Sequence, residues 1–347
     1  MTMTNRWMIS AAAAALIASP LAAQGNIESV CASFSKSEVG GRCAAVAQAV
    51  DAAQPQLGIL LAGGNPTLGT ASTGGVRLGI LPRVSLTGRV NVVGARLPDI
   101  RDVRTSGGEV QTDEFSVPAP AVGANVSVGL TQGFSVAPMI GGFGAIDLLG
   151  SVTVLPLSLA GDDFGDNAYS WGAGARVGLV RESFVTPGVS LSLMYRDLGD
   201  VRFGEVCEGT EVVTSGNQST CAAGGDFGEL GFGLTNWSGR LAASKRLLGL
   251  GATLGVGYDQ FDTDANFAFR APGLGGTEQI YRFNDVTVDN DRWSAFLDLS
   301  YTVLVGSLVG EVGWMQGADA IAGFPSTSDF DPDQGTFFGS IGARLSL

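Results

Sequence analysis

The side chains that could carry chemistry in this sequence are arginines, carboxylates and cysteines, because its 347 residues include no histidine. Without histidine the chain has no Ser-His-Asp or Cys-His nucleophile and no histidine-ligated metal site. A serine-lysine or carboxylate-only centre is the remaining enzymatic option, and no spacing in the chain singles one out. We therefore predict that the protein is not an enzyme and that it uses no cofactor and no metal.

One acidic run, Asp329-Phe-Asp331-Pro-Asp333, has the alternation that opens a calcium-binding loop. An EF-hand loop also needs glycine at its sixth position and glutamate at its twelfth. Gln334 and Ser340 stand at those positions, so the motif is incomplete. The run is interpreted as a solvated acidic loop, with loose binding of divalent cations as the alternative.

The N-terminal residues have the three parts of a secretory signal. Met1–Arg6 carries one positive charge, Trp7–Leu21 is apolar, and Ala22-Ala23 offers small residues for cleavage. The apolar stretch is short for a membrane-spanning helix, which needs about 20 residues. We predict a signal peptide over residues 1–23 and export of the rest of the chain.

Export makes the cysteines candidates for disulfides, because such bonds persist in oxidising compartments. The four cysteines form two pairs that are close in sequence, Cys31 with Cys43 and Cys207 with Cys221. This local pairing is the simplest of the three possible connectivities. No Cys-x-x-Cys spacing supports a metal site in their place.

The segment that follows the signal has a helical period. Between residues 26 and 54, apolar side chains such as Ile27, Cys31, Val46 and Val50 recur at three- and four-residue spacing. Gly40-Gly41 interrupts the pattern and Pro55 follows it. We predict an N-terminal helical segment over residues 24–55, made of two short helices.

From residue 56 onward the period is two, which predicts strands. Apolar residues alternate with Gly, Ser, Thr and Asn in long runs, as in Val84–Val92 and Trp293–Tyr301. These runs have about ten residues, which suits a tilted strand that crosses a bilayer, whereas soluble strands average about five or six. A chain with 52 glycines, 45% hydrophobic and only 15% charged residues suits strands with one lipid-facing side and one small, polar side.

The predicted strands number about twelve, and 10 to 14 remain compatible with the pattern. They are placed at residues 57–63, 75–81, 84–97, 120–131, 142–155, 169–181, 188–197, 228–240, 250–261, 292–304, 307–316 and 335–347.

The connections alternate between short and long. Tight turns are predicted at Leu81–Arg83, Arg246–Gly249 and Val305-Gly306. The other connections are long, polar and acidic, at residues 98–118, 157–168, 198–228, 262–291 and 318–334. Short periplasmic turns and long external loops are typical of outer-membrane barrels.

On these features, residues 55–347 resemble a Gram-negative outer-membrane β-barrel protein. The last run, Phe337 to Leu347, is similar to the terminal strand that the barrel-assembly machinery reads, although it ends in Leu rather than the common Phe. Aromatic residues near strand ends are similar to the girdles of such proteins: Tyr169, Tyr195, Tyr258, Phe261, Trp293 and Trp314.

The resemblance implies an all-β, transmembrane, antiparallel up-and-down barrel over residues 56–347, in the bacterial outer membrane. It implies outer-membrane lipids, lipopolysaccharide and the barrel-assembly machinery as partners, and leaves the oligomeric state open. The formal net charge of −13 argues against a nucleic-acid partner.

The alternation assigns a set of charged residues to the barrel interior. We expect them either to line a channel and set its ion selectivity or to pair into a network that fills a narrow barrel. The lumen-lining candidates are Arg77, Arg89, Asp147, Arg176, Arg196, Glu229, Asp259, Asp298, Glu311 and Arg344.

The favoured function is a passive or semi-selective channel for small solutes, and two alternatives stay open. One is a plugged transporter for hydrophobic compounds, since Gly63-Gly64-Asn65-Pro66 is similar to an Asn-Pro near the N-terminus of the long-chain fatty-acid transporter group. It predicts an apolar pocket or a lateral opening beside residues 26–54. The other alternative is a structural or adhesion barrel. The helical segment itself either plugs the barrel or, as favoured, lies against its periplasmic turns.

Overall fold

The computed structural model describes residues 26–32, 38–77, 81–99, 104–106, 109–111, 113–135, 141–157, 167–203, 207, 212–215, 218–221, 228–272, 278–317 and 330–347. The predicted signal peptide lies outside them. No helix within them is long and apolar enough to cross a membrane.

Two helices precede a series of strands. The helices are α1 (Ile27–Ala32) and α2 (Glu38–Ala62). In chain order the strands are β1 (Val76–Arg77), β2 (Leu81–Pro82), β3 (Val84–Pro98), β4 (Arg104–Ser106), β5 (Glu109–Gln111), β6 (Glu114–Gly129), β7 (Ala145–Leu155), β8 (Ala168–Val180), β9 (Gly188–Phe203), β10 (Val212–Ser215), β11 (Gln218–Cys221), β12 (Gly228–Leu247), β13 (Leu250–Pro272), β14 (Glu278–Val303), β15 (Gly306–Met315) and β16 (Thr336–Ser346).

Ten of these strands close into one barrel, in the order β3-β6-β7-β8-β9-β12-β13-β14-β15-β16. Every neighbouring pair is antiparallel, and β16 closes the wall against β3 from Ser346↔Ser85 to Phe338↔Val93. The short hairpins β1-β2, β4-β5 and β10-β11 form separate two-stranded sheets. The predicted fold class is confirmed, with ten wall strands in place of about twelve.

The two missing wall strands are the first two of the prediction. Residues 57–63 fall almost entirely in α2, and residues 75–81 contribute only two pairs to a minimal ladder, Val76↔Pro82 and Arg77↔Leu81. Helix α2 also runs through Gly40-Gly41 and Pro55, where the prediction placed a break and an end. Ile59, Leu60 and Leu61 are all buried, so this last turn has no polar face to reveal a helical period.

Helix α2 lies inside the barrel, so the favoured placement against the turns is wrong. Its side chains pack on the inward faces of β3, β6, β12, β13 and β14. Gly58 allows the close approach to β13, because a Cβ there would stand 2.0 Å from Cε1 of Phe261. Phe261 is fully buried and faces the helix, so its predicted place in an aromatic girdle is also wrong.

The two ends of the barrel differ. At one end, called here the short-turn end, tight connections such as Leu248-Gly249 join β12 to β13, with both residues at positive φ (50° and 88°). The opposite, long-loop end carries the longer connections. Residues 262–291, predicted as a loop there, are instead mostly the upper parts of β13 and β14, paired up to Pro272↔Glu278. The rings of Phe267, Phe269 and Phe283 stack on one another and pack in one buried cluster with helix residues such as Ile27, which favours strands in this acidic stretch.

The outer surface of the wall is an apolar belt. Leu86, Val152, Leu193, Leu254 and Leu308 are between 52% and 66% exposed and alternate with buried polar neighbours. Aromatic rings form part of a girdle toward the long-loop end, where Tyr195 contacts Trp171 and Trp237, and Tyr258 contacts Trp293. A soluble barrel would bury its apolar set; this wall exposes it, as a lipid-facing surface requires.

Candidate functional site: the filled lumen and its apolar cavity

Three buried ion pairs lie on the inner face of the wall. Arg89 Nη2 lies 3.0 Å from Glu311 Oε1, Arg176 Nη2 lies 2.6 Å from Asp147 Oδ2, and Arg240 Nη2 lies 2.9 Å from Asp259 Oδ1. Each pair joins two wall strands. Charges removed from water in this way need partners, because an isolated buried charge costs several kcal/mol.

The charged wall also binds the backbone of residues 63–75, the strap, which runs from the end of α2 to the short-turn end. Carboxylates accept its N–H groups: Glu311 from Asn65 at 2.7 Å, Asp298 from Gly69 at 2.8 Å, and Asp147 from Gly74 at 2.9 Å. The strap therefore fills the middle of the barrel through contacts that its backbone makes.

Arginines bind the carbonyl groups of the same strap. Arg240 Nε donates to Gly64 O at 2.9 Å, Arg89 Nη1 to Asn65 O at 3.0 Å, and Arg344 Nη1 to Leu68 O at 2.7 Å. Arg176 donates to the Thr67 hydroxyl. In the described lumen most of the charged residues thus pair with one another or bind the strap, which corresponds to the second of the two predicted arrangements.

Asn65 is the centre of this network. Its side-chain Nδ2 donates to Asp298 Oδ2 at 2.7 Å, and its Oδ1 accepts the N–H of Thr67 at 3.0 Å. The side chain is only 2% exposed. The Asn-Pro motif noticed in the sequence therefore lies in the lumen and shapes the turn of the strap.

Most predicted lumen residues do face inward. Arg89, Asp147, Arg176, Arg196, Asp259, Asp298, Glu311 and Arg344 are all at most 5% exposed. The side chain of Arg77 lies outside the described part. Glu229 is a correction: it shares the outer side of β12 with Trp237 and lies 3.9 Å from Arg282 on the surface.

Sequence reasoning missed Arg240, Arg292 and Asn65. Arg240 is on the same side of β12 as Asn236 and Ser238, and Arg292 pairs in register with Asp259. Continuing the alternation through these two strands would have found both arginines. Nothing in the sequence pattern shows that Asn65, in an irregular segment, enters the barrel.

Helix α2 is fixed to the wall by amide side chains. Gln54 donates to Val288 O at 2.7 Å, and Asn91 donates to Leu60 O at 2.7 Å. The last pair between β3 and β16 is Val93↔Phe338. Beyond it, the N–H of Arg96 on β3 has no partner on β16 and donates to the side chain of Gln56 instead. The helix therefore replaces a strand partner at this edge.

An apolar cavity of about 200 Å³ lies between α2 and the wall at the long-loop end. Ala53, Leu57 and Leu60 line it from the helix, and Val117, Leu155 and Phe232 are among the wall residues. Gln56 also lines it, yet its amide is engaged by Ala52 and Arg96. The cavity thus presents mostly hydrocarbon to whatever occupies it.

Next to this cavity the barrel wall has a gap in its strand pairing. Strand β7 pairs with β6 from Val154↔Val122 to Asp147↔Gly129 at the short-turn end, and the pairing does not continue from Val154 toward the long-loop end. Within the described residues, Glu114–Ala121 of β6 therefore has no strand partner on the β7 side. Across this gap, β9 continues to Phe203 beyond Leu198, its last residue paired with β8.

Two prolines lie on the open edge. Gly129 N–H donates toward β3, to Arg83 O, and Leu130 N–H donates the other way, to Ile146 O. The β3-β6 register is unbroken, so this alternation continues along β6. The backbone nitrogens of its odd-numbered residues face β3, and those of its even-numbered residues face the gap. Pro118 and Pro120 are even-numbered and have no N–H, so they remove donors from the unpaired edge.

The short-turn end opens into a separate, polar cavity of about 690 Å³. Its lining includes Ser72, Arg83, Arg181, Glu182 and Arg246. Ser72 donates to Glu182 at 3.0 Å, so the end of the strap lines this cavity. The described chain therefore has an apolar cavity at one end and a polar cavity at the other, with the strap network between them.

Both cysteine pairs are joined as disulfides, Cys31–Cys43 and Cys207–Cys221. The first joins α1 to α2. No group of cysteines or carboxylates in the described ranges is placed to hold a metal ion. Near the rim, the Arg96 side chain lies 2.5 Å from Glu114, and its hydrogen bond lowers the pKa of that carboxyl.

Solved structures with a similar fold are barrels. The translocator domain of autotransporter NalP from Neisseria meningitidis is 11% identical, with a TM-score of 0.35 over 76% of this chain and 87% of that chain. The TodX monoaromatic hydrocarbon channel (deltaS2 mutant) is 13% identical, with a TM-score of 0.27 over 76% and 89%. Omp33 of Acinetobacter baumannii is 7% identical, with a TM-score of 0.27 over 78% and 100%.

No family model and no curated protein matches the sequence. The architecture of the chain is therefore assigned from its own strands and surfaces. The closed antiparallel wall, the apolar belt outside it and the polar, filled interior are together the architecture of an outer-membrane β-barrel protein.

Proposed function

We propose that this protein is a plugged barrel of the bacterial outer membrane that binds small, neutral, apolar molecules near its outward-facing end. The observation that carries the proposal is the apolar cavity beside α2. In this proposal the short-turn end of the barrel faces the periplasm and the long-loop end faces outward, as in outer-membrane barrels.

The volume of the cavity limits the ligand. At about 200 Å³ it is somewhat larger than an engineered apolar cavity of about 150 Å³ that holds benzene or xenon. A substituted single ring or a short alkyl chain fits this space, and an extended long-chain fatty acid does not. The engaged amide of Gln56 offers no free donor for a charged head group.

Within the described residues, the gap between β6 and β9 supplies a side path into the cavity, at the level of the aromatic girdle and on its outward side. Val117 and Phe203, on the two sides of the gap, both line the cavity. A ligand that moves through this gap never has to pass the buried ion pairs below. This path supports a transporter of hydrophobic compounds over the passive pore that the sequence pattern favours, because the strap occupies the lumen.

The cavity can be tested with xenon and toluene as probes. Crystals of the protein under xenon pressure should show anomalous density between Ala53 and Phe232, and the detergent-solubilised protein should bind toluene saturably. Ala53→Phe fills the cavity from the helix and should abolish both signals.

Ala173→Phe, on the exposed outer face of β8, is the matched control and should leave both signals unchanged. Comparing the two variants separates binding in the cavity from partition into detergent. Xenon density only in the detergent belt, or equal toluene binding by A53F and the parent protein, would reject the proposal.

A further inference from the structure

The polar cavity at the short-turn end has a positive lining, although the whole chain carries a formal net charge of −13. The charged side chains of its described lining are Arg83, Arg181, Glu182 and Arg246. Three guanidinium groups and a single carboxylate thus surround a space of about 690 Å³. This volume lies within the range of roughly 300–1,000 Å³ that is usual for small-molecule pockets.

The opposite end of the barrel has the reverse charge. A cavity of about 280 Å³ on the long-loop side is lined by acidic side chains and, among its described residues, by no basic one. The acidic residues are Asp197, Asp200, Asp262, Asp264 and Asp289. A soluble anion is therefore repelled at the long-loop end and attracted at the short-turn end.

Arg83 is the most available of the three arginines. Its side chain is exposed and makes no hydrogen bond or ion pair with any described residue. Its backbone, by contrast, is fixed, because its N–H donates to Gly75 O at 3.2 Å and its carbonyl accepts the N–H of Gly129 at 2.9 Å. The guanidinium group therefore extends from a fixed point of the cavity and keeps all its donors available.

The other two arginines are only partly compensated. Arg181 Nη2 donates to a neutral partner, the Gln132 carbonyl, at 2.7 Å. Arg246 Nη2 lies 4.0 Å from Glu182 Oε2. That carboxylate also accepts the N–H of Arg246 at 2.5 Å and the Ser72 hydroxyl at 3.0 Å. Glu182 thus joins the strap to the wall, and its single charge offsets at most one of the three arginines.

The cavity lies on the lumen side of the wall. Arg83 continues the inward-facing series of β3, in which Thr87 and Arg89 are buried. Arg246 likewise continues the inward-facing series of β12 after Ser244. The last residues of the strap also line the cavity. A ligand would therefore enter through the mouth of the barrel, whereas lipid headgroups lie outside the wall.

We propose that the short-turn cavity binds a small, soluble organic anion with two or more carboxylate or phosphate groups. A guanidinium group offers paired N–H donors that match two oxygens of a carboxylate or phosphate. Three such groups around one space favour a ligand with several charges over a monatomic ion. The site is separate from the apolar cavity and does not depend on what that cavity binds.

Citrate and pyrophosphate are the probes. Calorimetric titration of the full, detergent-solubilised protein at low ionic strength should show saturable binding of either probe, and added salt should weaken it. Arg83→Gln should weaken citrate binding by about tenfold, because it removes charged hydrogen-bond donors from the ligand. Since the Arg83 side chain has no protein partner to lose, R83Q should fold and melt as the parent protein does.

Arg282→Gln is the matched control, because Arg282 is exposed at the long-loop end, 3.9 Å from Glu229. It should bind citrate as the parent protein does. Dihexanoyl phosphatidylglycerol, added as monomers, tests a lipid source of the phosphate and should not displace citrate. Absence of saturable binding by the parent protein, or equal citrate affinity of R83Q and R282Q, would overturn the site. Displacement by the lipid would assign the cavity to a headgroup and reject the soluble anion.

Discussion

Gln56 of the internal helix and Arg96 of the wall exchange two hydrogen bonds, as two strand residues do. The N–H of Arg96 donates to Gln56 Oε1 at 2.7 Å, and Gln56 Nε2 donates to the Arg96 carbonyl at 2.7 Å. A single side chain thereby completes the ladder of β3 where β16 ends. Helix α2 thus takes part in the hydrogen bonding of the wall and also fills the barrel.

Replacing Gln56 by Leu should therefore destabilise the protein by about 2–4 kcal/mol, because two backbone groups of Arg96 lose their partners. Gln48→Leu, on the same helix, is the control, since its buried Oε1 has no hydrogen-bond partner in the described protein. Urea unfolding followed by tryptophan fluorescence measures both. Equal losses in the two variants would mean that the Gln56 contacts contribute nothing specific.

Gly58→Ala should cost about 1–3 kcal/mol, although alanine favours helices over glycine. Its methyl group would meet the ring of Phe261, which is fully buried and has no room to move. Gly88→Ala is the matched control, because nothing lies within 4 Å of a Cβ at that position. Thermal unfolding of both variants gives the comparison, and a stabilised G58A would show that the contact relaxes.

Glu311→Gln should destabilise the barrel by about 3–5 kcal/mol, since it leaves the Arg89 guanidinium buried without its carboxylate. Glu182→Gln, in the partly exposed pair with Arg246 at 4.0 Å, should cost less, about 1 kcal/mol. The mobility shift of heated and unheated samples on denaturing gels ranks the two variants. A similar melting temperature for both would contradict the buried network as a source of stability.

Pro118→Val combined with Pro120→Val restores two N–H donors on the open edge of β6. We expect slower release of toluene from the cavity, because the edge can now pair and the gap narrows. Equilibrium occupancy of the cavity should stay the same. Stopped-flow release from proteoliposomes measures the rate, with Pro82→Val at the short-turn end as control. Faster release by the double variant would argue against this path.

Deleting residues 26–75 should convert the protein into a conducting pore. The ion pairs that bind the strap would then face water, and the lumen would open from end to end. Planar-bilayer recordings should show little conductance for the intact chain and stable, ohmic steps for the deletion. Equal conductance in both would mean that the strap does not occlude the barrel, and would favour the passive channel predicted from the strand pattern.

The strand prediction succeeds where each strand has one lipid-facing and one polar side. From Trp293 to Tyr301 every second side chain faces lipid, so the period is visible in the sequence. It fails where both sides are buried or both are polar. Leu57–Ala62 lies inside the barrel and has no polar side, and its apolar run is therefore compatible with either a strand or a helix.

The site is less predictable than the wall. The inward position of Asp298 follows from alternation, but its partner Asn65 lies 233 residues away in the chain and in no regular element. The cavity depends on where α2 comes to rest and on how early β7 ends, and neither is a property of a local pattern. Long-range packing decides both.

The strap and the helix have a consequence for the order in which this protein is made. Asn26 is hydrogen-bonded to Thr287 near one end of the barrel, and Gly74 to Asp147 near the other, so the segment spans the lumen. A folded 25-residue helix with its wall contacts does not thread into a closed cylinder already filled by arginines and carboxylates. Closure of β16 against β3 must therefore come last, around an N-terminal segment already in place. In the intact chain, residues 26–75 would therefore be inside the barrel before the last strand completes the wall.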